Sequence, residues 1–330
     1  MSITVQDIES AAARIAPYAV RTPLLQSAAL AKALGAKAAF VKPEMLQVCG
    51  AFKFRGAMNR LSQLTPEQRP AGVVAFSSGN HAQGVAIAAG LIGCPAVIVM
   101  PSDAPRIKIE GTRAAGAEIR LYDRYTESRE EIAAAIAAER GAVVAPAFDD
   151  NDIIAGQGTV GLEIADQAEE MGGPLDILLC PTGGGGLIGG TSLAIKARSP
   201  GTQVYGVEPE GFDDTRRSLE AHEIVGNAPG GSTLCDALMS PAPGVLTFAI
   251  NASTLSGVLT VSDAEVKAAM RFAFERLKLV VEPGGSVGLA AALAGKLDFK
   301  GKRVGIVLSG GNVDPEQFAR ILSEGGDAKF

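Results

Sequence analysis

A chain of 330 residues, 47% of them hydrophobic, is long enough for two domains or one large α/β unit, and it holds no apolar stretch long enough to span a bilayer. The net charge is −6 and the basic residues are scattered, which argues against nucleic acid or an anionic membrane surface as partner. Two histidines (His81, His222) and four cysteines without a CxxC pair speak against a His-rich metal centre or a disulfide framework, and the cysteines read as reduced thiols.

The opening Met1-Ser2-Ile3-Thr4-Val5-Gln6-Asp7 lacks the basic and apolar regions of a secretory signal, so a soluble cytoplasmic protein is expected. The next informative run is Gly50-Ala51-Phe52-Lys53-Phe54-Arg55-Gly56-Ala57. A lysine between two phenylalanines and flanking glycines is poorly hydrated, and desolvation lowers the pKa of an amine. A neutral lysine amine is a nucleophile that forms Schiff bases with carbonyls, pyridoxal phosphate (PLP) among them. The competing reading is a surface lysine snorkelling past core aromatics.

Short β-rich runs then alternate with helical patterns. Strands are predicted at Val73–Phe76, Ala96–Met100, Glu118–Tyr122, Val143–Ala147, Ile177–Cys180, Val204–Val207, Gly257–Val261 and Val304–Leu308. Helices are predicted at Glu130–Arg140, Gly158–Glu170 and Asp263–Leu277. This alternation predicts βαβ units and a mostly parallel sheet. A smaller domain is expected at 50–148 and a larger one from 1–49 with 149–330.

Three turns follow predicted strands. Ser77-Ser78-Gly79-Asn80-His81 sets two hydroxyls, an amide and an imidazole at a helix start, where they suit a carboxylate or simply cap the helix. Thr182-Gly183-Gly184-Gly185-Gly186 lets backbone amides approach an anion at a helix N-terminus. Its spacing also stretches to a dinucleotide fingerprint, which keeps a nicotinamide-dependent oxidoreductase as a rival. Ser309-Gly310-Gly311-Asn312 ends the last strand. All three sit at carboxyl ends of strands, where open α/β sheets bind ligands.

In this order, the four segments resemble the fold-type II PLP enzymes, the family of serine/threonine dehydratases and serine racemase. The resemblance runs from Arg21-Thr22-Pro23-Leu24 to Ser309-Gly310-Gly311-Asn312. It implies a tryptophan synthase β-like α/β fold, with two open, twisted, mostly parallel sheets flanked by helices and the cofactor between a large and a small domain. It makes Lys53 the Schiff-base lysine, with Phe52 packing beside the ring and Asn80 bonding the ring's 3′-oxygen. Gly183, Gly184, Gly185 and Gly186 hold the phosphate, and Ser309 faces the pyridine nitrogen. A hydroxyl there does not enforce a protonated pyridinium, which favours early loss of a β-leaving group once Lys53 has removed the Cα proton.

Ser78 stands where racemases and 3-hydroxyaspartate dehydratases carry serine and threonine dehydratases commonly carry alanine. A serine there can move a proton on the face opposite the lysine. Ser77, Ser78, Asn80 and His81 are the expected carboxylate receptor. Arg129, in Tyr125-Thr126-Glu127-Ser128-Arg129-Glu130, resembles the arginine that reaches a second substrate carboxylate. Val207-Glu208-Pro209-Glu210-Gly211-Phe212-Asp213-Asp214 resembles a divalent-cation site, in which Glu208, the Phe212 carbonyl and Asp214 bind Mg²⁺ or a similar hard ion. Val48-Cys49 departs from the nucleotide-holding pair of eukaryotic serine racemase, so ATP control is not expected. The expected protein is a homodimeric PLP-dependent dehydratase of 3-hydroxyaspartate, serine or threonine. A serine or aspartate racemase is the close alternative, and a catalytically silent ligand-binding homologue a more distant one.

Overall fold

The computed structural model describes residues 3–77, 79–104, 106–123 and 125–324, without the side chains of residues 106 and 107. Ten strands form two sheets: β1 Leu25–Gln26, β2 Ala38–Pro43, β3 Val73–Phe76, β4 Ala96–Pro101, β5 Glu118–Tyr122, β6 Val143–Val144, β7 Ile177–Pro181, β8 Gln203–Pro209, β9 Gly257–Val261 and β10 Arg303–Leu308. One sheet has the order β1-β2-β10-β7-β8-β9, the other β5-β4-β3-β6. Every pairing is parallel except the short antiparallel β1–β2 ladder. Parallel strands need crossovers, so helices cover both faces and the central strands are buried runs. β2, β4 and β7 are buried at every position.

The eight predicted strands are all present, but β6 is two residues long and ends before Pro146, which has no N–H for a ladder. β1 and β2 were not predicted. The helix predicted at Gly158–Glu170 starts at Asn151, where the Asp150 carboxylate caps the Ile153 amide. The α-helix predicted over Asp263–Leu277 ends at Phe272 and continues as a π turn over Ala273–Leu277. The mixed α/β architecture with parallel sheets and flanking helices agrees with the expected fold class.

The Lys53 segment belongs to neither sheet. Ala51 bridges Gly310, and the Phe52 amide donates to the Ser309 carbonyl at 3.0 Å. The helix Lys53–Leu61 begins there. Helix Asn80–Leu91 crosses it at Gly84, where a Cβ would stand 3.2 Å from the Lys53 backbone. Backbone bonds therefore set Lys53 against the end of β10, and close packing at Gly84 sets it against the helix that follows β3.

Candidate active site

A cavity of about 380 Å³ opens where the carboxyl ends of β3, β6, β7 and β10 converge. Its wall includes Phe52, Lys53, Ser77, Asn80, His81, Arg129, Gly183, Gly184, Gly185, Gly186 and Ser309. Folding thus brings into one cavity residues more than 250 positions apart in sequence. Ser78 lies outside the described residues.

Lys53 is the first residue of its helix, and its ammonium donates to the Ala147 carbonyl at 2.7 Å. It lies 5.2 Å from the centre of the Phe52 ring. No carboxylate is within ion-pair distance of it among the described residues. Burial without a counter-charge brings its pKa down to about 8, against an ordinary 10.5.

At the other end of the cavity the glycine turn passes from β7 into the helix Gly186–Arg198. Gly185 has φ +93°, a left-handed conformation that disfavours any side chain. A Cβ on Gly184 would stand 2.5 Å from the Phe148 ring. The amides of Gly183, Gly184 and Gly185 donate to no backbone carbonyl among the described residues. They form an open nest beside a helix N-terminus, which suits a phosphate.

Asn80 is clamped at both ends of its amide. Its Nδ2 donates to Glu282 Oε1 at 2.6 Å, and its Oδ1 accepts from Asn312 Nδ2 at 2.9 Å. Its second Nδ2–H donates to no protein group among the described residues. Glu282 is buried; desolvation and nearby Asp236 raise its pKa to about 7, against the opposing pull of Lys108 and Asn80. His81 sits beneath, its Nε2 2.9 Å from the Ala145 carbonyl and its Nδ1 unpaired. Burial, with Lys53 nearby, drops its pKa to about 3, so the ring is neutral. Ser309 is buried at the end of β10. Arg129 stacks over Phe76 at 5.4 Å and pairs with Glu130 at 2.8 Å.

The sequence profile of the family "Pyridoxal-phosphate dependent enzyme" matches residues 15–310. The chain belongs to this family. Among its relatives, an L-threo-3-hydroxyaspartate ammonia-lyase of a Pseudomonas species is 48% identical over 96% of this chain and 97% of the relative. The serine racemase of Schizosaccharomyces pombe is 43% identical over 97% and 98%. The solved structure of maize serine racemase superposes with a TM-score of 0.91, at 39% identity over 97% of each chain. The fold is that of the fold-type II PLP enzymes.

The residues present fit PLP. A lysine amine without a carboxylate partner suits the aldehyde, an amide nest that a Cβ would fill suits the phosphate, and a clamped amide and a hydroxyl lie between. Sequence reasoning missed Lys108, Asp149, Asp236 and the role of Glu282, all of which line this PLP-enzyme cavity. Asp149 caps the helix Val245–Thr254 through the Val245 and Leu246 amides at 3.0 and 2.9 Å. None lies in the four segments that the sequence singled out, so only the fold could gather them.

The acidic segment is outside this cavity's lining and runs from the end of β8 into the helix Asp214–Ala221. Glu208 and Asp214 are both buried. Glu208 accepts the amides of Thr215 and Arg216, each at 3.0 Å. Asp214 Oδ1 accepts from Asn227 at 2.6 Å, while Oδ2 has no partner. Burial raises the pKa of Glu208 to about 8, with Asp214 adding to it, and that of Asp214 to about 6. Neighbouring Asp213 is instead paired with Arg216 and Arg217 and held below the usual carboxylate range. Among the described residues no three His, Cys, Asp or Glu side chains cluster, so a cation here needs backbone carbonyls or water as further ligands. The unpaired Asp214 oxygen beside a second carboxylate fits a hard cation.

Proposed function

We propose that this chain is a PLP-dependent ammonia-lyase that converts small β-hydroxy amino acids to 2-oxo acids and ammonia, with L-threo-3-hydroxyaspartate preferred over serine and threonine. The observation that carries the reading is Lys53: a half-buried amine bonded to a neutral carbonyl in the same cavity as an open amide nest. The ammonia-lyase at 48% identity supports the substrate order.

When bound, PLP supplies an aldehyde carbon for imine exchange and a conjugated ring that accepts the electron pair left on Cα. Gly183, Gly184, Gly185 and Gly186 hold the phosphate, and Asn80 directs its free Nδ2–H at the 3′-oxygen. Phe52 packs beside the ring, and Ser309 faces the ring nitrogen without imposing a charge on it. Lys53 Nζ, which no carboxylate keeps protonated, removes the Cα proton. The β-hydroxyl then leaves as water by taking up the proton that Lys53 holds, and hydrolysis of the enamine product gives the 2-oxo acid and ammonia. Ser77, Ser78, Asn80 and His81 receive the α-carboxylate, and Arg129 receives the second carboxylate of a dicarboxylic substrate. Ser78 moves a proton on the opposite face.

The two sheets, drawn from 25–43 with 177–308 and from 73–144, support a division into 1–49 with 149–330 and 50–148. Mg²⁺ or a similar ion belongs at Glu208, the Phe212 carbonyl and Asp214. The working protein is a cytoplasmic homodimer; no helix among the described residues is long and apolar enough to cross a membrane.

Release of 2-oxo acid from L-threo-3-hydroxyaspartate, L-serine and L-threonine tests the reading. Turnover of threonine with none of hydroxyaspartate overturns the order, and no product from any of them overturns the function. Racemisation is the second reading, favoured by the likeness to serine racemases. Chiral analysis of recovered serine and aspartate separates the two.

A further inference from the structure

Lys108 and Asp236 meet in the cavity wall from segments that connect strands of different sheets. Lys108 stands on helix Arg106–Ala114, between β4 and β5 of the four-stranded sheet. Asp236 opens the turn Asp236–Leu238, between β8 and β9 of the other sheet. The Lys108 ammonium donates to Asp236 Oδ2, and both residues line the cavity. The pair is unequal: the Lys108 side chain is 9% exposed and that of Asp236 51%. Lys108 also sits over the predicted carboxylate receptor, its Nζ 3.6 Å from where a Cβ on Gly79 would stand. An ammonium has three N–H donors, and Asp236 is its one side-chain acceptor among the described residues.

Leaving a buried ammonium without an anion is costly, whereas an exposed carboxylate returns to water readily. We propose that Asp236 is a placeholder for the α-carboxylate of the substrate: it keeps Lys108 compensated in the empty cavity and yields the ammonium when an amino acid enters. Lys108 is then a substrate-binding residue that reinforces the Ser77–His81 turn, and Asp236 is a positioning residue that sets the strength of the competition. The inference rests on the reading of the site as one for an α-amino acid.

The test uses the holoenzyme with glycine, which carries the carboxylate but no β-leaving group, and with glycinamide, which lacks the carboxylate. Binding is followed by the change in the cofactor's visible absorption. Lys108→Gln is expected to weaken glycine about tenfold, the loss of a hydrogen bond to a charged group, and Lys108→Arg to restore most of it. Asp236→Asn is expected to tighten glycine severalfold, and none of the three variants to change glycinamide binding. Unchanged glycine affinity in Lys108→Gln, equal weakening of glycine and glycinamide, or weaker glycine binding in Asp236→Asn would each overturn the proposal. Failure of the ammonia-lyase reading looks different: glycine binds, yet no hydroxy amino acid yields 2-oxo acid.

Discussion

Two inward-facing lysines eleven positions apart meet opposite fates in this molecule. Lys42, on β2, donates to the Thr22 carbonyl at 2.7 Å, Glu163 at 2.6 Å and Gln167 at 3.0 Å. Burial pulls its pKa down, and the carboxylates of Glu163 and Glu44 oppose that pull. Arg55 completes the cluster, bonded to Glu44 at 2.7 and 2.9 Å and to Glu163 at 2.7 and 2.9 Å. Lys53, two residues before Arg55, has a carbonyl and an aromatic ring and, among the described residues, no carboxylate. The first lysine is held as a charge and ties three chain segments together. The second has no carboxylate partner among the described residues, which suits it to act as a nucleophile.

The sharpest way to break this contrast is Lys53→Ala, which is expected to lower turnover by about a thousandfold or more and to abolish covalent cofactor capture while leaving the melting temperature of the cofactor-free protein nearly unchanged. Glu44→Ala should do the reverse. Leaving Glu163 as the one carboxylate shared by the buried cations Arg55 and Lys42 is expected to cost about 3–5 kcal/mol in denaturant unfolding, and the protein that remains folded should still bind PLP.

The pH dependence separates the lysines further. The reactive form of Lys53 is the deprotonated one, so the rate of cofactor capture by the cofactor-free protein should rise with pH, about tenfold per unit below the midpoint, and level off above about 8. A midpoint near 10 would mean that Lys53 is no more perturbed than a surface lysine. The smallest effect is expected at the acidic loop. There a divalent cation should raise the melting temperature by a few degrees, with the gain falling as protons reoccupy Asp214 and Glu208 below about 6 and 8. Chelation without any thermal shift at pH 8 would remove the cation from the account.

The parts that were legible in sequence are those in which one local run carries its own physics. Phe52-Lys53-Phe54 points to a desolvated amine, four glycines point to a close-packed turn at a helix start, and the apolar runs of β4, β7 and β10 point to buried strands. β2 was not legible because its run Ala38-Ala39-Phe40-Val41-Lys42-Pro43 contains a lysine whose partners, Thr22, Glu163 and Gln167, lie far off in sequence. The early start of helix Asn151–Glu170 was hidden by Gly156, which looks like a helix breaker just ahead of Gly158 and Gly161 in the predicted part. In the fold they are contact points: a Cβ on Gly158 would stand 2.9 Å from the Gly190 carbonyl, and one on Gly161 would meet the Thr191 backbone. Lys108, Asp236 and Glu282 converge only through tertiary structure, and no spacing rule links them.

Borohydride reduction of the holoenzyme at neutral pH, followed by peptide mapping, tests the contrast between the lysines most directly. The account predicts a single pyridoxyl adduct on Lys53, with Lys42 and Lys108 unmodified. An adduct on either of those residues, or a protein that takes up PLP without any reducible bond, would contradict it.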